Sequence, residues 1–117
     1  MRRLTVIVLF LTLITPVLAR AQNPNAELRG VSGAVLDKDD HPVDSAVVYL
    51  KNTRTLTVRT YITNGKGEYH FSGLDPNADY ELHAEHGDLT SPNHTVSSLD
   101  GRKELVATLK INKEKKK

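Results

Sequence analysis

Residues 63–84 read TNGKGEYHFSGLDPNADYELHA, and few folds accept such a stretch. Tyr69 and Phe71 fall on one side of a strand, with Glu68 and His70 on the other. Gly73 and Pro76 then punctuate the chain. Beyond them Tyr80, Leu82 and Ala84 alternate against Glu81, His83 and Glu85. Side chains with a period of two mark half-buried strands. The Asn64-Gly65 pair tolerates positive φ at both residues, so it is read as a type I′ hairpin turn. Two amphipathic strands joined by a Leu74-Asp75-Pro76 corner predict a β-sandwich.

The rest of the chain repeats this grammar, with a turn about every ten residues. Residues 28–37 form a first strand with Val31, Gly33 and Val35 on one face. Gly33 has nothing to pack, which predicts a bulge or the close approach of another backbone. Residues 37–44 make a polar turn in which Asp40 takes a left-handed conformation and Pro42 fixes the exit. In residues 45–51, Ala46, Val48 and Leu50 oppose Val47, Tyr49 and Lys51. Both faces are largely apolar, so this is a central strand or carries a partner surface near Tyr49. Residues 56–63 offer two alternations of similar merit, and Leu56, Val58, Thr60 and Ile62 are taken as the inward set. Residues 94–98 give a short edge strand, Asp100-Gly101 a second hairpin turn, and residues 103–111 a last strand with Leu105, Ala107 and Leu109 on one face. No helical period exceeds one turn, and there is no internal repeat.

Residues 1–21 read as a secretory signal rather than as part of the domain. Arg2 and Arg3 precede an apolar run over residues 4–18, and Ala19-Arg20-Ala21 has small residues where a signal peptidase reads. Cleavage is expected after Ala21; the alternative is an uncleaved anchor, for which the run is short of the ~20 residues that span a bilayer. A polar linker (22–29), the domain (30–111) and a solvated basic tail (112–117) follow. The leader takes three of the 16 basic residues and none of the 14 acidic ones, turning a net charge of +2 into −1. Five lysines and one glutamate lie in residues 110–117, so the body ahead of them carries −5. Such a body is a poor match for a phosphate backbone, and nucleic acid is not expected as a partner. No second apolar run would hold the protein in a membrane after cleavage. With no cysteine there are no disulfides, no thiolate metal site and no lipid-anchor attachment.

Four segments in order resemble the carboxypeptidase regulatory-like domain family. They are Gly33-Ala34-Val35-Leu36-Asp37, residues 42–50 beginning Pro42-Val43, residues 63–71 and residues 74–84. Asp40 stands where the family usually has glycine, and Asn77-Ala78-Asp79 lengthens its Pro-Gly-x-Tyr corner. The resemblance implies an all-β, seven-stranded antiparallel Greek-key β-sandwich of the transthyretin (prealbumin) kind, behind a signal-peptide helix. It also implies a non-catalytic module without a cofactor. The Leu74-x-Pro76-x-x-x-Tyr80 corner also resembles a fibronectin type III signature, the second topology, in which a tyrosine hydroxyl ties back to backbone.

Candidate sites are few. Tyr49 and Tyr61 are the surface rings available to stack on a glycan, and pairing of their strands would bring them close. His70 and His83 could meet across paired strands and hold a metal with Glu81 or Glu68 as third ligand. Asp37, Asp39, Asp40 and Asp44 could offer oxygens to calcium, although a twelve-residue loop with a closing glutamate is lacking. The serines lack the strand–turn–helix elbow of a hydrolase nucleophile. The expected protein is an exported interaction module, periplasmic or secreted, that binds an envelope protein through an edge strand or the Tyr49 face. The alternative is carbohydrate binding, and a cryptic metal-dependent enzyme comes third.

Overall fold

The computed structural model describes residues 28–115; the signal-peptide expectation and most of the linker lie outside them. Nine strands follow in order: β1 Arg29–Leu36, β2 Val47–Asn52, β3 Val58–Ile62, β4 Glu68–Leu74, β5 Tyr80–His86, β6 Leu89–Thr90, β7 His94–Val96, β8 Glu104–Lys110 and β9 Lys113–Glu114. They form two sheets. The smaller runs β4-β1-β8; the larger runs β3-β2-β5-β6-β9, with β7 also paired to β5.

The core is the one that alternation predicts. Val31, Val35, Val48, Leu50, Tyr69, Phe71, Leu82, Ala84, Leu105, Ala107 and Leu109 are buried between the sheets. Each large side chain so placed contributes roughly 1.5–3 kcal/mol of burial. The step from β4 to β5 carries the chain from one sheet to the other, as the Leu74-Asp75-Pro76 corner requires. Tyr80 holds this corner, since its hydroxyl accepts the Asp75 backbone N–H at 2.9 Å.

Gly33 does what a missing side chain allows. A Cβ there would lie 1.8 Å from the Ala107 carbonyl oxygen and 2.9 Å from the Tyr69 hydroxyl. The Tyr69 hydroxyl donates to that same carbonyl at 2.6 Å. Burial pushes the Tyr69 phenol well above its ordinary range, so it stays a donor. Asp40 is left-handed, with φ +66°, where the family's glycine would sit.

Several expectations are corrected. The sandwich is mixed rather than wholly antiparallel, because β1 and β8 pair in parallel over Gly30–Leu36 and Glu104–Lys110. Among the described residues there are nine strands rather than seven; the additions, β6 and β9, have two residues each. Neither Asn64-Gly65 nor Asp100-Gly101 makes a hairpin, since each links strands of different sheets. At the first, Gly67 takes the positive φ, +72°, where a Cβ would press on the Val35 carbonyl. Asn64 serves through its side chain, whose Oδ1 accepts the N–H groups of Lys66 and Glu68. Asp100 likewise accepts the Arg102 N–H and pairs with its guanidinium, which holds the Asp100 carboxyl at about 2.

The domain also extends beyond both expected ends. Arg29, where the expected linker and the expected first strand overlap, opens β1 and is 6% exposed, donating to the carbonyls of Ser97 and Arg102. At the other end the tail is not simply solvated through Lys115. Lys113 and Glu114 pair with Thr90 and Leu89, and the Lys115 N–H donates to the Asp88 carbonyl. Backbone pairing ignores side-chain charge, which is why the composition concealed it.

The inward set of β3 is the reverse of the one expected. Tyr61 lies opposite the buried Val48 and packs edge-on against Phe71, with ring centroids 6.0 Å apart. Arg59 sits over the same ring at 5.5 Å and donates to the Ser72 carbonyl. Val58 and Ile62 face outward, 52% and 63% exposed.

Candidate functional site

The outer face of the larger sheet collects the chemistry that the register leaves outside. In β2 the outward residues are Val47, Tyr49 and Lys51; opposite them in β3 stand Ile62, Thr60 and Val58. On the other flank of β2, Glu85, His83 and Glu81 face the same three residues from β5. Tyr49 therefore lies between Thr60 and His83. Its ring stacks on the His83 imidazole, with centroids 4.9 Å apart and planes 10° from parallel. A depression of about 270 Å³ opens beside this stack, lined by Tyr49, Lys51, Val58, Glu81, His83 and Asn93.

A short polar chain fixes the far side of the stack. His83 Nε2 donates to Glu85 Oε2 at 3.0 Å, and Lys115 Nζ lies 3.2 Å from Glu85 Oε1. The His83 hydrogen bond, helped by Lys115, holds the Glu85 carboxyl below its usual range. The final described residue of the chain thus clamps the orientation of the ring on which Tyr49 rests. The face that results is apolar at Val47, Val58 and Ile62, aromatic at Tyr49, and charged along β5. Surfaces that combine an exposed apolar patch with a polar margin are suited to protein contact.

The expected site residues do not all gather here. Tyr49 and His83 meet, as neighbours on one face. Tyr61 is on the opposite face of the same sheet, because Val48 and not Tyr49 is its cross-strand partner. The pair of tyrosines forms no stacking platform. His70 and His83 belong to different sheets and point away from the core on opposite sides, so the metal site imagined between them is not formed. His70 instead borders a concavity of about 510 Å³ on the smaller sheet, with Ser32, Ala34, Glu68, Val106 and Thr108.

Among the described residues one group offers metal-type ligands close together: Asp37, Asp39 and His41. The Asp37 carboxylate is already committed, with Oδ1 accepting the backbone N–H groups of Asp39 and His41. Those bonds, the one from His41 first, lower its pKa. It is the cap of the polar turn.

Arg29 was missed from the sequence. It is a buried guanidinium whose Nη2 has no hydrogen-bond partner among the described residues, and a lone arginine beside a linker gives no advance sign of burial. Together with Asp79, which accepts the Ser98 N–H at 2.6 Å, it fastens the loop between β7 and β8. That Ser98 bond holds the Asp79 carboxyl below its ordinary value.

The described residues form a two-sheet sandwich whose larger sheet carries the Tyr49–His83 stack on its outer face. Residues 30–110 match the carboxypeptidase regulatory-like domain, and the chain belongs to that family. No curated protein sequence matches it. Among solved structures it is similar to the full-length major pilin SpaD from Corynebacterium diphtheriae, at 13% identity and a TM-score of 0.57. That likeness covers 81% of this chain and 32% of the pilin. It is also similar to the major pilin subunit BcpA of Bacillus cereus, at 12% identity and 0.55, over 74% of this chain and 30% of that one. A catechol 1,2-dioxygenase from an Acinetobacter species scores 0.56 at 12% identity, over 74% of this chain and 52% of the enzyme. The chain thus spans about half of the dioxygenase and a third of the pilins. At these identities the likeness is one of fold.

Proposed function

We propose that this protein is an exported, non-catalytic interaction module of the cell envelope, and that it binds a protein partner through the outer face of β2, β3 and β5. The leader-like residues 1–21 support export, as does the likeness to pilin subunits. The family favours binding over reaction. The observation that carries the assignment is the exposed row of Val58 and Ile62 beside the Tyr49–His83 stack. Apolar side chains turned outward on a strand contribute nothing to the core that polar ones would not. They gain free energy when a partner covers them.

A photo-crosslinking amino acid at position 49 tests this in the native host. Position 108, on the outer face of the other sheet, is the control. The expected result is a discrete adduct with another envelope protein from position 49 alone, lost in an Ile62→Asp background. Adducts equal from both positions, or none from position 49, would reject the assignment.

A further inference from the structure

The free edges of the two sheets are not equally guarded. β9 ends one side of the larger sheet with two residues, both charged. β8, an edge of the smaller sheet, begins at Glu104 and ends at Lys110. The Arg59 guanidinium reaches across to the Ser72 carbonyl of β4. Short length, charge and coverage are the usual ways of blunting an edge. β3 is guarded least, by neither proline nor an outward charge. It is five residues of VRTYI without proline, lysine or bulge, every one exposed, and its single charge is turned to the inner side over Phe71.

The register says which backbone groups it leaves open. The Asn52 N–H donates to the Thr57 carbonyl, and the Thr63 N–H to the Ala46 carbonyl. In an antiparallel ladder hydrogen-bonded pairs alternate, so Arg59 and Tyr61 exchange bonds with Leu50 and Val48. The N–H and C=O groups of Val58, Thr60 and Ile62 therefore point away from β2, along the free edge.

We propose that a second copy of this chain occupies that edge, with two β3 strands antiparallel about a twofold axis at Thr60. The sequence is complementary to itself in this register. Thr60 meets Thr60, and Val58 meets Ile62 twice, giving three hydrogen-bonded pairs that use all six open groups. Arg59 meets Tyr61 twice on the inner side, a cation beside an aromatic ring at the closely spaced kind of pair. No like charges face each other across the axis, and an interface that repeats itself under a twofold closes at two copies. The larger sheet becomes continuous through both subunits. It also places two Tyr49 faces on one side, about 14 Å apart. An unrelated strand could use the same edge, but it would have to supply this complementarity, whereas a second copy has it already.

The absence of cysteine makes the test clean. Directly opposed residues of a hydrogen-bonded antiparallel pair have Cα atoms about 5.5 Å apart, within disulfide range. The purified chain should sediment as a concentration-dependent dimer, and Thr60→Cys should form a disulfide dimer on mild oxidation. Val58→Cys and Ile62→Cys should each stay uncrosslinked alone and crosslink when mixed. Thr60→Lys should sediment as a monomer and melt, at every concentration, where the dilute monomeric wild type melts. Thr60→Pro, which removes only an outward N–H, should do the same. A chain that stays monomeric into the sub-millimolar range overturns the proposal. So does a dimer that survives Thr60→Lys, or one in which Thr60→Cys gives no disulfide. The partner captured from position 49 is read independently, so the failure of one assignment leaves the other standing.

Discussion

Replacing Gly33 with alanine is expected to cost about 3 kcal/mol or more, which lowers the melting temperature by roughly 12 °C or more for a domain this size. The added methyl would sit on the Ala107 carbonyl oxygen, at 1.8 Å, and that atom cannot swing aside because it is backbone. β1 and β8 would have to separate along the one parallel seam of the smaller sheet. The same shift would strain the bond from the Tyr69 hydroxyl to Ala107. Chemical denaturation of the purified variant measures this directly. Gly101→Ala, where a Cβ meets nothing within 4 Å, should move stability by less than about 0.5 kcal/mol.

Thr63→Val is expected to be the most damaging isosteric change, at about 2–4 kcal/mol. The Thr63 hydroxyl is buried and works in both directions. It accepts the Ala46 N–H at 2.9 Å and donates to the Val43 carbonyl at 2.7 Å. A valine of the same shape leaves both backbone groups unpaired in a site that is 3% exposed. Thr63→Ser should recover most of the loss, because it keeps the oxygen. Thr60→Val, three positions earlier at an exposed site, should change little in equilibrium unfolding of the monomer.

Thr63 also marks where sequence stops predicting structure. The strands of the core were legible because their two faces differ: Tyr69 and Phe71 against Glu68 and His70, or Leu105, Ala107 and Leu109 against Glu104 and Thr108. Alternation of that contrast has one solution. Residues 56–63 have no such contrast, and hydrophobicity favours the set that turns out to be exposed. The inner side of β3 is filled by a cation over a ring, a ring edge against Phe71 and a doubly bonded hydroxyl. Each is satisfied by specific partners from distant segments, and none of that is visible in a local pattern. The same limit concealed the site. Tyr49 was recognisable as an outward ring, but its neighbour depends on register, and register placed His83 there instead of Tyr61. The parallel pairing of β1 with β8 joins the two ends of the domain, a contact that no local signal encodes.

Backbone amide exchange tests the central claim most directly, because the proposed faces follow from the register of β3. In dilute solution the N–H groups of Arg59 and Tyr61 should exchange slowly, while those of Val58, Thr60 and Ile62 exchange at nearly the rate of open chain. Raising the concentration should then slow the second set as well. The opposite alternation, with Val58, Thr60 and Ile62 protected in dilute solution and Arg59 and Tyr61 open, would turn Val58 and Ile62 into the core and contradict the account.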